Sequence, residues 1–223
     1  MIFFKMVAQS KLVELLLFMM VLVPMTSSYG QKIKPKHGTD IPVMRTTYAH
    51  TTANDNGSFT TTSYSHPVNY RSKDGLLPID LRISNNDNVR FSDYQYVNAT
   101  NSFKSYFPKN INQGFLAEFA SGKYFKDLIN PRIYAEKDGN VFGEQKMQAS
   151  IIELKENTAL FENVYNLINL SVETDFGRRR TDYVIQSPNA LDGFPIEAEY
   201  LVFEEELQLP DSWKAKLEAG MIL

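Results

Sequence analysis

Cysteine is absent from all 223 residues. No disulfide, thiolate metal centre or cysteine nucleophile is available, so stability has to come from packing. Histidine occurs only three times, at His37, His50 and His66, with spacings of 13 and 16 that fit no compact metal motif. These read as scattered surface residues. A basic excess is missing as well: 23 Lys and Arg stand against 26 Asp and Glu, for a net charge of −3. A nucleic-acid binder needs a basic face to displace counterions, so nucleic acid is excluded as a partner. No Gly-x-Ser-x-Gly elbow and no EF-hand pattern occur, so neither a hydrolase triad nor that type of calcium loop has a local signature. Beyond the N-terminus, no apolar run approaches the roughly 20 residues of a membrane-spanning helix.

The N-terminus itself is organised. Lys5 and Lys11 precede the apolar run Leu12 to Met25, which Glu14 interrupts, and small residues follow at Ser28 and Gly30. A positive flank, a short apolar core and a small-residue boundary make a secretory signal peptide over residues 1–30, cut between Gly30 and Gln31. Loss of Lys5, Lys11 and Glu14 with it moves the net charge from −3 to −4. The expectation is a secreted or cell-surface protein with no membrane span after cleavage.

Aromatic residues are plentiful where cysteine is missing: 15 Phe and 12 Tyr, against one Trp. Large rings suit the half-buried faces of strands. Residues 31–63 are rich in Thr, Ser, Asn and Asp with few large apolar groups, and are expected to be a poorly ordered lead-in, with at most a weak hairpin at Asn56-Gly57. Residues 64–223 carry regular turn punctuation, at Asp74-Gly75, Ser84 to Asn88, Ser121-Gly122, Lys137 to Asn140, Gly177 and Asn189 to Gly193. Such spacing predicts an all-β, antiparallel β-sandwich-like module.

Alternation supports this. Ile168, Leu170, Val172 and Phe176 share one face while Asn169, Ser171, Glu173 and Asp175 share the other; Leu201, Phe203, Leu207 and Leu209 line up with Glu205 as the misfit. Val68, Tyr70, Leu77, Ile79 and Leu81 flank the Asp74-Gly75 turn in the same style. A helix competes at Phe115 and Phe119, four apart, but Gly122 weakens it by about 1 kcal/mol. One short C-terminal helix is expected, capped by Asp211 or Ser212, with Trp213 and Leu217 on one face and Gly220 as its stop. The apolar residues "MIL" beyond it suggest a strand that continues past Leu223 into a longer polypeptide.

The phrases "PVNYRSKDGLLPIDLRI", "NSFKSYFPKNI", "LFENVYNLINLSVETDFGRRRTDYVIQS" and "EYLVFEEELQLPDSW" together resemble the N-terminal β-rich region of large bacterial secreted and cell-surface proteins of the Rhs/YD-repeat and wall-associated type. The matching positions are Pro67, Tyr70, Asp74, Gly75, Ile79 and Asp80 in a first hairpin, and Tyr165, Ile168, Leu170, Arg180, Asp182 and Tyr183 to Ile185 in a second. Leu77 and Asn169 depart from the pattern, and no YD repeat is present. The resemblance implies a non-catalytic β-sandwich that acts as a structural or adhesive part of a larger exported protein, whose partners are the rest of that polypeptide and a surface glycan or protein.

Three clusters carry possible chemistry. Arg178, Arg179 and Arg180 open a strand after Gly177 and offer guanidinium groups to an anion or glycan. Alternation separates Arg179 from its neighbours, however, and Asp175 and Asp182 lie close enough to neutralise the run. Glu204, Glu205 and Glu206 invite a glycosidase reading, which needs two carboxyl groups about 5 to 10 Å apart. On a strand, Glu204 and Glu206 share the solvent side and Glu205 alone turns toward the apolar side, where an arginine of the 178–180 run is a possible mate. Asn85, Asp87 and Asp93, and Asp138 with Asn140, sit in loops that turn chemistry explains without calcium. The sequence therefore predicts no catalytic, cofactor-binding or metal residues, with Arg178, Arg179 and Arg180 as the candidate anion or glycan contact. The expected function is that of a non-catalytic structural or adhesive module; a glycan-binding sandwich and a secreted glycoside hydrolase are the alternatives.

Overall fold

A computed structural model describes residues 2–9, 38–211, 213–214, 217–218 and 221–222. Along the chain, β1 (Ile2–Gln9) is followed by a three-stranded antiparallel sheet of β2 (Thr39–Asp40), β3 (Ala49–Ala53) and β4 (Phe59–Ser63), and then by a hairpin of β5 (Asn69–Ser72) and β6 (Gly75–Pro78). The strands β7 (Ser84–Asn85), β8 (Tyr94–Asn98), β9 (Lys104–Pro108), β10 (Phe115–Glu118), β11 (Tyr124–Lys137) and β12 (Asn140–Lys146) form an antiparallel meander. A second meander comprises β13 (Ile152–Lys155), β14 (Thr158–Tyr165), β15 (Ile168–Asp175) and β16 (Arg178–Ile185). The chain then returns to the first meander as β17 (Tyr200–Gln208), between β11 and β1, and finishes in the short pair β18 (Leu217–Glu218) and β19 (Met221–Ile222).

The large sheet thus runs β1-β17-β11-β10-β9-β8-β7, with β12 also on β11, and the four-stranded meander packs against it. Their common core joins Phe107, Phe115, Leu128 and Ile133 of the large sheet to Phe161, Val164, Ile168, Leu170 and Val172 of the smaller one. The rings of Phe115 and Phe161 meet edge to face across the gap, with centroids 5.8 Å apart. Strand β15 shows strict alternation, with Ile168, Leu170, Val172 and Thr174 buried. Strand β10 is buried on both faces, because Leu116 turns away from the common core to pack with Phe91, Tyr94, Val97 and Tyr106 in a second cluster. The all-β antiparallel expectation therefore holds.

Two local expectations need correction. The C-terminal helix is not shown among the described residues, its expected cap Ser212 and stop Gly220 lying outside them: the Trp213 amide closes a turn on the Pro210 carbonyl at 2.8 Å, and Leu217–Glu218 pairs with Met221–Ile222 as strands. Isolated helices below about 12 residues are marginal. At Phe115 and Phe119, where Gly122 already weighed against a helix, the chain forms β10, a turn with Gly122 at φ +77°, and the start of β11. In the first hairpin Ser72 pairs with Gly75, so the turn residues are Lys73 and Asp74, and Gly75 opens the returning strand at φ +106°, a conformation that suits glycine.

The lead-in is also more structured than its composition suggests. From Thr39 onward it is a sheet, with Ala49 and Thr51 buried and a hairpin loop of residues 54–58, wider than a two-residue turn. Asn69, fully buried, holds this sheet to β5: its side-chain amide donates to the carbonyls of Thr46 at 2.7 Å and Ala49 at 3.1 Å, and its carbonyl oxygen meets His50 Nε2 at 2.9 Å. Arg45, ion-paired with Asp40, reaches the Leu76 carbonyl on β6. Asn69→Ala strands several buried polar groups, so a loss of about 2 to 3 kcal/mol is expected in chemical denaturation. A loss below about 0.5 kcal/mol would show that Asn69 is not what anchors the sheet.

Candidate functional site

The densest set of perturbed polar groups lies where β17 crosses β11. Strand β11 does not run straight there: its register against β17 slips between Lys126 and Ile129 and again between Ile129 and Arg132. Leu128 and Asn130 take the left-handed conformation, at φ +53° and +46°, which costs a bulky leucine of order 1 kcal/mol or more. Gly114 makes room for this double bulge. A Cβ on Gly114 would sit 2.6 Å from the Asp127 carbonyl oxygen, and its φ of +69° suits glycine.

The bulge leaves Glu205 without a register partner on β11 and turns Asp127 inward. Burial pushes the Glu205 carboxyl up to about 7, with the negative charge of Asp127 adding to the rise and Arg179 opposing it. Tyr165 and Tyr183 crowd the same space, and burial drives both phenols well above their ordinary value. The Tyr183 ring stacks on Phe203, 4.3 Å between centroids, and Tyr165 lies edge-on to Phe203 at 6.5 Å. Arg179, with a side chain only 6% exposed, is ion-paired with Asp127 and lies 5.1 Å from the Phe115 ring centroid. Among the described residues, Asp127 Oδ1, Arg179 Nη1 and the Tyr165 hydroxyl are buried without a hydrogen-bond partner.

Glu205 shares an open cleft of about 650 Å³ with Asn130, Arg132, Glu144, Lys146, Glu204 and Glu206. A charged network lines the same cleft. Arg132 donates from Nε and Nη2 to Glu204 Oε1 at 2.9 and 2.7 Å, and from Nη1 to Glu144 Oε2 at 2.8 Å, while the Tyr134 hydroxyl donates to Glu204 Oε2 at 2.9 Å. Hydrogen bonding to Glu204 and loss of solvent push the Tyr134 phenol up to about 12, with burial the larger cause.

The arginine run divides as strand alternation requires. Arg178 donates to Asp175 at 2.7 Å, Arg180 meets Asp182 and Glu173 at 2.8 Å, and Arg179 alone points between the sheets. Its mate is Asp127, on β11, rather than Glu205. The Glu204, Glu205 and Glu206 triplet likewise splits, with Glu205 alone toward the apolar side. The histidines do not converge: His50 binds Asn69, His66 lies on the Phe176 ring at 4.4 Å, and His37 is outside the described residues. Among the described residues no group of three or more metal-ligating side chains comes together. The loop at Asn85 to Asp93 is closed by its own asparagines, with Asn86 donating to the carbonyls of Phe91 and Tyr94.

Asp127, Glu144 and Arg132 were not singled out by the sequence. Asp127 stands 52 residues from Arg179 on a strand of another sheet, and only the fold places the two together. A hint existed in "KDLINPR", where a charged residue and Asn-Pro interrupt an otherwise apolar strand. No known protein family, curated protein or solved structure matches the chain.

Proposed function

We propose that the chain is a non-catalytic structural or adhesive module at the front of a larger exported bacterial surface protein, with a surface glycan or another protein as its partner. The observation that carries this reading is what the charged residues bind. Each arginine of the 178–180 run holds an acid of the chain itself, and Glu204 is held by Arg132 and Tyr134. Groups that looked available for an anion or a sugar are clamps between neighbouring strands. The basic, apolar and small-residue pattern of residues 1–30 supports the exported location.

One observation favours the second alternative, a secreted glycan hydrolase: Glu205 is an acid raised to about 7 at the inner wall of an open cleft. A glycosidase also requires a second carboxyl group across that opening. The other carboxyl groups that line the cleft are Glu144 and Glu204, both held by Arg132, and Glu206, which strand alternation sends to the side of β17 away from Glu205; Asp127 is tied to Arg179 between the sheets. The decisive experiment is a turnover assay on purified protein with polysaccharides, esters and peptides, with and without calcium or zinc. No hydrolysis is the expected outcome. Turnover that disappears in Glu205→Gln would overturn the structural reading.

A further inference from the structure

The two ends of the large sheet differ. One edge is β7, two residues long; the other is β17, nine residues without proline, over which β1 runs antiparallel in unbroken register from Ile2 opposite Leu207 to Gln9 opposite Tyr200. Long regular edges are templates for strand addition unless charge, proline or a bulge blocks them. The glutamates of β17 block poorly. Glu204 shares Arg132 with Glu144 and so keeps part of its charge, and Glu205 turns inward, which leaves Glu206 and a half-neutralised Glu204 as the edge's guard, one that a cation on an incoming strand removes.

We infer that the outer edge of β17 is a strand-accepting surface, covered by Ile2–Gln9 only in the precursor, and that after export it takes an extended segment of a partner polypeptide, apolar with a central lysine or arginine. The inference rests on the export reading, because β1 departs only if the leader is cut between Gly30 and Gln31. The partner's chemistry follows from register. Lys5 stands opposite Glu204, with Phe4 and Met6 opposite Glu205 and Phe203, so an apolar strand with one central cation is the pattern this edge accepts. A second copy of β17 fits worse. Antiparallel self-pairing centred on Glu204 to Glu206 sets glutamate against glutamate, and like charges directly opposite are destabilising.

The test uses the full chain with a specific protease site introduced between residues 30 and 31. Hydrogen exchange at Tyr200–Gln208 is expected to be slow in the uncut protein. It should accelerate at least ten-fold once the leader is cut and removed, and slow again when a solubly tagged peptide of residues 2–9 is added. The same peptide carrying Lys5→Glu should bind at least ten-fold more weakly. Exchange unchanged by cutting, or a peptide that binds without protecting β17, overturns the inference. Equal binding of the Lys5→Glu peptide overturns the proposed partner chemistry, and concentration-dependent dimerisation that protects β17 makes the occupant a second copy and overturns it too. Should the cut protein unfold, Lys5→Glu in the uncut chain decides: it should speed exchange at β17 while Lys11→Glu does not, and equal effects sink the idea. The N-terminal residue of the naturally exported protein tests the export reading separately, since Met1 would refute cleavage without altering what the peptide shows about the edge.

Discussion

Stability is expected to fall by on the order of 3 kcal/mol as pH rises from about 4.5 to about 7, and Glu205→Gln is expected to remove most of that fall. In the unfolded chain Glu205 ionises near 4.5, whereas in the folded protein it holds its proton up to about 7. Between these values the folded state binds more protons than the unfolded one, so stability decreases with pH and remains lower above 7. Burial is the main cause, and Asp127 reinforces it. The groups around the carboxyl are Asp127, Arg179, Tyr165 and Tyr183, and burial keeps both phenols protonated throughout this window.

The acid side of the profile has the opposite sign and a different origin. Asp175 is held below its ordinary 3.8, first by the Phe176 amide and then by Arg178, so its contribution is present above 3.8 and is lost as pH falls below it. That window does not overlap the one for Glu205. Denaturation midpoints of the protein and of Glu205→Gln at pH 4.5, 6 and 8 therefore isolate the buried acid. Gln keeps the shape and cannot ionise, so the variant should match the parent at pH 4.5 and exceed it at pH 8. Equal midpoints at pH 8 would place Glu205 in water and remove the candidate site.

How far the sequence anticipated this region depends on whether the signal was local. Period-two alternation on β15 and β17 placed Ile168, Leu170 and Val172 in the core and marked Glu205 as the one acid on the apolar side, and the structure finds it there, desolvated. The same alternation separated Arg179 from Arg178 and Arg180. What was not legible is long-range or backbone-borne. Asp127 becomes the mate of Arg179 only because the four-stranded sheet lies on β11, and of the two left-handed residues that create the bulge, Asn130 is of a type that takes positive φ but Leu128 is not. The lead-in was misjudged because its buried residues are small. Ala49 and Thr51 add little hydrophobicity, while the ordering comes from Asn69, which lies outside the stretch being judged. Buried asparagines do similar work elsewhere: Asn101 donates to the Asp175 carbonyl and accepts from the Gly177 amide, which pins the turn that precedes the arginine run.

Among single substitutions, Arg179→Met should cost the most stability of the arginine run, about 3 to 5 kcal/mol. Its side chain is only 6% exposed and ion-paired with Asp127, whose side chain is 25% exposed, so removal of the cation leaves a carboxylate between the sheets with no counter-charge. Much of the cost is that stranded charge rather than the worth of the pair. Asp127→Asn in the same background should therefore recover a large part of it, and the double-mutant cycle should give a coupling of at least about 1 kcal/mol. Arg179 also opposes the rise of the Glu205 pKa, so Arg179→Met should move the Glu205 pH window upward, a shift that lost packing alone does not produce. The flanking arginines behave differently. Arg178 and Arg180 are 67% and 56% exposed in their ion pairs, so Arg178→Ala and Arg180→Ala should stay within about 0.5 kcal/mol of the parent. If all three substitutions cost the same, or if Arg179→Met is tolerated, Arg179 is not the clamp between the sheets and the run returns to being a candidate anion or glycan contact.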